Sequence, residues 1–380
     1  MMWQTETLPT DVPNVSYLSF ALGAGDQPWI AYYKGSSQDL MCATYDGASW
    51  QSSAADSAGW VGKYNSIVLD ALNRPQVSYF EERNSSGTTT YDLKYATYDG
   101  SSWSRQTVDT GGSNEVGPYT SIALDSLGRA HIAYYDRTNG DLKYAHFDGT
   151  TWQVEQVDTV GDVGRYASLR LDAYDRPHVS YYDATNTNLK YAMKTATGWE
   201  IETVDGQSPT NTLVGQHTSL ALDSANRAHI TYWAETGQDL RYAYEDETGW
   251  HAQTVDGSPT NDGWYSSLEL DSSGLPCVSY YSVPTTGGVG KLKFAAWNGT
   301  SWDVQVVDAP SGKSVGYYSA LELLNGTTPR IAYLDATSGA AKYAQASVPE
   351  PATGICLALG LVGLGLWLKS RRKSADLSDN

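Results

Sequence analysis

Cysteine, phenylalanine, methionine and basic residues are all scarce in this chain, and each scarcity excludes something. Lys and Arg number 25 against 43 Asp and Glu, a net charge of −18. Up to residue 347 the balance is 21 basic against 40 acidic residues, a net −19. A body this acidic repels phosphate backbones, which excludes nucleic acid as a partner and argues against an electrostatic grip on anionic lipid. The three cysteines, Cys42, Cys277 and Cys356, form neither a disulfide framework nor a CxxC zinc pattern. No long apolar run occurs before residue 354, and few long stretches lack Gly, Asn, Asp, Ser or Thr. A mainly helical protein is thereby excluded. No Ser nucleophile elbow, P-loop or dinucleotide fingerprint is present.

What is abundant is Tyr and Trp, 28 and 13 residues against 4 Phe, together with 36 Gly. Tyr and Trp join a flat apolar face to a polar tip, which suits half-exposed strands and binding faces. The chain also repeats. Ser121-Ile-Ala-Leu-Asp125 recurs at Ser66–Asp70, Ser168–Asp172, Ser219–Asp223 and Ser267–Asp271, with weaker copies at Ser19–Gly23 and Ala320–Leu324. Each of the seven copies contains four short runs, here A to D. A is the Ser-x-x-x-Asp run. B resembles His178-Val-Ser-Tyr-Tyr182, C resembles Asp141-Leu-Lys-Tyr-Ala145, and D runs from Trp152 to Asp158. All alternate with period two and are bounded by turn residues, so they read as strands.

Four strands per repeat of about 40–50 residues predict an all-β propeller, here of seven four-stranded blades over residues 2–347. The seventh copy stops after run C (Ala341–Ala344), and the missing run D stands at the N-terminus, where Trp3-Gln-Thr-Glu-Thr-Leu8 matches Trp199–Val204. The first strand is therefore expected to complete the last blade and remove an open edge. A–B and C–D turns then share one face. D–A and B–C loops share the other, which varies more in length and chemistry and is the expected binding face.

That loop face holds the candidate site. The D–A loop closes with Val-Gly-x-Tyr-x-Ser, as in Val163–Ser168. Its aromatic position is Tyr17, Tyr64, Tyr119, Tyr166, His217, Tyr265 and Tyr318. The residue before it is Ser16, Lys63, Pro118, Arg165, Gln216, Trp264 and Tyr317. Around a channel this is a ring of aromatics under a variable collar. Aromatic faces stack on sugars, and the candidate ligand-binding residues are Lys63, Tyr64, Tyr119, Arg165, Tyr166, His217, Trp264, Tyr265, Tyr317 and Tyr318. The alternative for the repeated Tyr is that the hydroxyls tie each loop to the next blade. Asp136 and Asp183 end run B on the same face and join the candidate set. They would suit a glycosidase pair or Ca²⁺, while capping of the Asx turns that follow is the favoured account of them. His131, His178 and His229 share one position in run B. Blade spacing keeps them apart, so no metal site and no cofactor is expected. Arg170, Glu269 and Glu322 replace apolar residues in run A, either lining the channel or pairing between blades. No catalytic residue is assigned.

The C–D turns Tyr45-Asp-Gly-Ala-Ser-Trp50, Tyr98-Asp-Gly-Ser-Ser-Trp103 and Phe147-Asp-Gly-Thr-Thr-Trp152 resemble the Asp box of sialidase-like propellers. Turn capping by Asp and plugging by Trp explain them without catalysis. The resemblance would imply an arginine triad on the loop face and a Tyr nucleophile on a six-bladed ring. The repeated Arg74, Arg129, Arg176 and Arg227 instead lie in A–B turns on the opposite face, with only Arg137 and Arg165 on the loop face.

Beyond residue 347 the character changes. Val348-Pro349-Glu350-Pro351 precedes an uncharged apolar run to Leu368, then Lys369-Ser-Arg-Arg-Lys373. The run over 352–368 is long enough for a short membrane span, with the basic end and residues 374–380 cytoplasmic. This tail resembles the PEP-CTERM sorting signal of Gram-negative bacteria over residues 348–373. The resemblance implies export, anchoring in the inner membrane, recognition and cleavage near the motif by an exosortase-type protease, and delivery to the cell surface or an exopolysaccharide matrix. Met1-Met2-Trp3 opens the chain without a secretory signal peptide, so a mis-assigned start or truncated gene is expected. Taken together the sequence favours an exported, non-enzymatic propeller that binds glycan or another surface component on its loop face. The alternatives are a glycan-active hydrolase or lyase and a protein-interaction scaffold without a small ligand.

Overall fold

The computed structural model describes residues 1–347 apart from 10–13, 86, 207–212, 258 and 286. Twenty-eight strands form seven four-stranded antiparallel sheets, and each sheet is one sequence repeat. Blade 4 is typical, with strand A at Val163–Leu171, B at Pro177–Asp183, C at Asn188–Thr195 and D at Gly198–Asp205. Strands A line the axis and strands D the rim. The seventh blade closes as expected: Met2–Thr7 pairs along Ala340–Ser347, from Met2 opposite Ser347 to Thr7 opposite Lys342. The proposed sorting motif and the 352–368 span lie outside the described residues.

The repeated residues are explained by the seams between blades. The Ser of strand A accepts a hydrogen bond from the next blade's strand A, as with Leu169 N–H to Ser121 Oγ and Leu220 N–H to Ser168 Oγ, both 3.0 Å. The Asp that ends the run caps its own A–B turn. Asp125 Oδ1 accepts from the N–H of Leu127 and Arg129, and its other oxygen accepts the Arg129 guanidinium at 2.6 Å. Asp148 caps its C–D turn through the N–H of Thr150 and Thr151. Trp199 lies edge-on to Tyr144 of the preceding blade with ring centroids 5.3 Å apart, plugging that seam.

The strongest tie joins strand D to the next blade. The Asp at the end of run D accepts a hydrogen bond from a buried strand-B Tyr, six times over, at 2.5–2.7 Å: Asp56 from Tyr79, Asp109 from Tyr134, Asp158 from Tyr181, Asp205 from Tyr232, Asp256 from Tyr280 and Asp308 from Tyr333. In five seams a strand-C cation completes the triad, namely Lys143, Lys190, Arg241, Lys293 and Lys342. Burial works to raise the Asp158 carboxyl, but the bonds from Lys190 and Tyr181 outweigh it and hold it below the usual range. Its anion is therefore fixed inside the seam.

The closing seam between blades 7 and 1 is built differently. Among the described residues Tyr32 has no Asp partner, and Met41 stands where the cation would be. An apolar cluster with Leu8, Val15 and Phe20 fills the space. A bidentate pair, Arg330 to Asp26 at 2.7 and 2.8 Å, supplies the polar link. Removing one partner of a buried ion pair leaves the other uncompensated. Asp158→Ala is accordingly expected to cost about 3–5 kcal/mol in chemical denaturation, and Tyr181→Phe about 1 kcal/mol.

Candidate functional site

The seven aromatic residues of the D–A pattern share a backbone conformation that their residue type does not favour. Tyr17, Tyr64, Tyr119, Tyr166, His217, Tyr265 and Tyr318 all have φ of 50–57°. A non-glycine residue there is uncommon and costs on the order of 1 kcal/mol or more. Five of the seven blades double the register irregularity at this point, as strand A slips against strand B at Val163/Arg165 and again at Arg165/Ser168. Gly164, at φ 107°, makes the approach possible, because a Cβ there would lie 2.8 Å from the Leu142 Cα. The kink turns each aromatic ring onto the axis.

Seven rings thus form one closed circle. Adjacent centroids are 4.6, 4.9, 4.6, 4.4, 4.7 and 4.6 Å apart from Tyr17 round to Tyr318, and 5.4 Å where Tyr318 meets Tyr17. The carbonyls freed by the kink are bonded from the next blade: Thr218 Oγ1 to Tyr166 O at 2.8 Å, Ser266 Oγ to His217 O at 2.9 Å and Ser319 Oγ to Tyr265 O at 2.7 Å. The loops are tied through these backbone carbonyls and also through the ring hydroxyls, Tyr17 with Tyr64, Tyr119 with Tyr166 and Tyr265 with Tyr318. The ring and the hydroxyls beneath it enclose a cavity of about 420 Å³. Burial and neighbouring phenols raise the hydroxyls of Tyr17, Tyr119, Tyr166, Tyr265 and Tyr318, Tyr265 to about 12. They stay neutral donors and acceptors. Burial pushes His217 down to about 3, so it is neutral as well.

Deeper in the channel, Arg170 pairs with Glu269 at 3.3 Å although their blades are not neighbours. The pair therefore spans the axis, so these residues both line the channel and pair. Burial, reinforced by Glu269 and opposed by Arg170, pushes the Glu322 carboxyl up to about 8.

The collar stands outside the ring, beside a second tier of aromatics from strand B that the sequence did not single out. Lys63 pairs with Glu82 at 3.1 Å and lies over Tyr33 and Trp60. Arg165 holds Asp162, which also accepts from Tyr135 at 2.7 Å. Trp264 stacks on His217 at 6.0 Å and meets Trp233 edge-on. Tyr317 packs 4.3 Å from Tyr281. Arg137 reaches over from blade 3 to donate to the Tyr64 hydroxyl at 3.1 Å. The signal for the second tier was the repeated Tyr-Tyr of run B, which reads equally well as core.

Asp136 and Asp183 do not join this constellation. Both are buried at the end of strand B and cap the next turn, Asp136 through Asn139 and Asp183 through Asn186. His131, His178 and His229 each sit between a strand-C Tyr hydroxyl and the Asp of the A–B turn, with Nε2 facing that carboxylate at 3.4–3.7 Å. Among the described residues no group of three or more His, Cys, Asp or Glu is placed to hold a metal ion.

A ring of blades around an aromatic-lined mouth is a seven-bladed β-propeller, and the comparisons agree. The chain carries the PEP-CTERM protein-sorting motif at residues 347–373. It is similar in structure to a catalytically inactive variant of virginiamycin B lyase from Staphylococcus aureus solved with quinupristin, with a TM-score of 0.57 at 10% identity over 91% of this chain and 99% of that one. It is also similar to an α-L-arabinanase from Penicillium chrysogenum complexed with arabinobiose, with a TM-score of 0.52 at 11% identity over 90% and 97%. At such identities the likeness establishes the fold alone. No curated protein matches the chain. The motif implies export through membrane-anchored sorting in a Gram-negative bacterium and processing by an exosortase.

Two pH dependences follow. Between about 3 and 6.5 the unfolded chain protonates at position 217 while the folded ring does not, so stability falls as pH drops through that window. His217→Tyr, the residue six other blades carry, is expected to flatten that loss of Tm. Between 4.5 and about 8 folded Glu322 keeps a proton that the unfolded chain releases, so stability falls as pH rises. Glu322→Gln is expected to raise Tm relative to the parent, increasingly from pH 5 to 8.

Proposed function

We propose that this protein is an exported cell-surface or exopolysaccharide-matrix component that binds glycan, without cleaving it, at the aromatic mouth of the channel. The observation that carries the reading is the closed ring of seven aromatics over a cavity of about 420 Å³. Concave sites of this size, lined by aromatic faces with a few convergent polar groups, suit flat-faced ligands bearing hydroxyls. The collar differs in every blade, which gives a near-symmetric ring one preferred orientation of ligand. Glycoside hydrolysis needs two carboxylates flanking the scissile bond. Of the carboxylates that the collar touches, Glu82 pairs with Lys63 and Asp162 with Arg165 and Tyr135, while Glu235 accepts from Gln216 at 3.4 Å and, among the described residues, has no carboxylate set opposite it across a scissile bond. On this reading Lys63, Tyr64, Tyr119, Arg165, Tyr166, His217, Trp264, Tyr265, Tyr317 and Tyr318 bind, while Asp136 and Asp183 shape the surrounding loops. An exosortase cleaves near Val348–Pro351, and the propeller over residues 2–347 reaches the surface or matrix.

The test is an array of bacterial polysaccharides and oligosaccharides probed with the full chain, with product release followed in the same wells. Retention without new reducing ends is expected. Trp264→Ala and Arg165→Ala are each expected to weaken it about tenfold or more, about 1.4 kcal/mol. Released products would establish an enzyme. Neither retention nor release would point to a protein-binding scaffold.

A further inference from the structure

The face opposite the aromatic mouth also breaks the seven-fold symmetry. The A–B turns share one plan, and the residue two places after the strand-A Asp stands at the tip. In blades 2, 3 and 4 that residue is Leu72, Leu127 and Tyr174, exposed by 68, 74 and 75%. Elsewhere it is small: Gly25, Ala225, Ser273 and Gly326. Three consecutive blades therefore hold large apolar tips out into solvent. The turns of blades 3 and 4 are bonded together, Ser126 to Asp175 at 2.6 and 2.9 Å, and Ala173 ties the blade 4 turn to Asn226 of blade 5 at 3.1 Å, so Leu127 and Tyr174 are held in fixed relation, with Leu72 on the blade before them continuing the arc. Guanidinium groups flank them. Arg74, Arg129 and Arg176 stay bound to the turn Asp, and Arg176 lies over the Tyr174 ring at 5.4 Å. Isolated exposed apolar residues are ordinary, whereas a fixed arc of them marks a contact surface.

The chain itself indicates what covers this surface. Strand C of blade 7 ends at Ser347, opposite Met2. That end is on the A–B turn side: Ala346 O accepts from Arg330, whose guanidinium also holds Asp26 of the blade 1 A–B turn. The sorting tail therefore leaves the propeller from the face that carries the arc. Four residues, Val348 to Pro351, separate Ser347 from the apolar run. Fully extended they span no more than about 15 Å. In a ring of seven, blades 3 and 4 lie across the axis from blade 7, so the arc is opposite the exit point.

We propose that, while the tail spans the membrane, the propeller lies with this face on the phospholipid bilayer, Leu72, Leu127 and Tyr174 seated in the lipid interface. The tail holds one side of the disc and the arc holds the other, and the aromatic mouth faces away from the membrane. Leu, Tyr and stem-buried Arg are the residue types that settle at this depth. The exposed carboxylates of Asp46, Asp99 and Asp148 on the outer turns of the same face remain ionised, held below the usual range by bonds from their own turns. They oppose binding to anionic headgroups. The contact is therefore apolar and depends on the tether, whose short reach supplies a high effective concentration.

The test uses the full chain, one copy per nanodisc of phosphatidylethanolamine and phosphatidylglycerol at about 3:1. An environment-sensitive NBD label is placed at Ala71→Cys, beside the arc, or at Ser37→Cys, on the opposite face. Cys356→Ser in the tail is carried throughout, and that chain, with Cys42 and Cys277 buried, serves as the labelling blank. NBD at 71 is expected to emit several-fold more brightly, shifted to the blue, and to resist iodide several-fold better than at 37. Adding Leu72→Ser, Leu127→Ser and Tyr174→Ser should bring it to the level of position 37. All three tips are exposed, so the triple variant keeps its core. Equal emission at 71 and 37 would overturn the proposal, as would a signal that survives the triple substitution. A signal that needs two copies per disc would assign the arc to a second copy of the chain and overturn the lipid reading.

Discussion

Six of the seven seams between blades are held by a buried anion. The carboxylate at the end of strand D lies against a Tyr hydroxyl and a Lys or Arg in every such seam, the cation coming from strand C in five of them and from Arg105 at 3.4 Å for Asp56, with Tyr181 wholly buried beside Asp158. A charge fixed inside a seam tolerates little sliding, because any shift strands it without partners. Six seams so fixed set the angle between blades and thereby the diameter of the ring. The seventh shows no such anion among the described residues. Its apolar cluster and its Arg330–Asp26 pair close a circle whose size the other six have already determined.

That fixed diameter gives the strained residues their use. A Tyr at φ of 50–57° would relax in a loose chain. Here strand A is pinned on one side by the Ser hydroxyl of the preceding blade and on the other by its own strand B, and the kink between them persists. The outcome is an unbroken circle of rings that no single blade could build. Its symmetry is then spoiled on purpose-sized scales: His217 replaces one Tyr, the collar varies, and the opposite face carries three apolar tips on consecutive blades. The two faces differ in chemistry as well as position. One offers phenols and paired cations around a cavity, the other apolar tips and capped turns beside the point where the tail leaves.

Much of the fold was readable because its signals are local or repeated. Ser-x-x-x-Asp, the Trp and Asp six residues apart, and Trp3–Leu8 as the missing last strand all survive translation from sequence to structure. The seam chemistry was not readable. Lys190 and Asp158 are 32 residues apart, and Arg330 and Asp26 are 304, with no pattern that links either pair before the blades are set side by side. At the mouth, the identity of the ring residues was legible and their conformation was not, since Tyr gives no warning of a left-handed backbone. Asp136 and Asp183 read as site candidates because a turn cap and a reactive carboxylate look alike in a sequence. The Asn three residues further on is bonded to the carboxylate in both, which is the cap that the sequence also favoured.

The central claim is that the aromatic mouth is the ligand-binding face. It is tested most directly by hydrogen–deuterium exchange on the full chain in nanodiscs, with and without oligosaccharides from an acid-hydrolysed bacterial exopolysaccharide. The account predicts slowed exchange in the segments around 163–168, 214–219 and 262–267, with none in the A–B turns around 70–74 and 125–129. Slowed exchange confined to those turns, or none around the ring at saturating sugar, would contradict it.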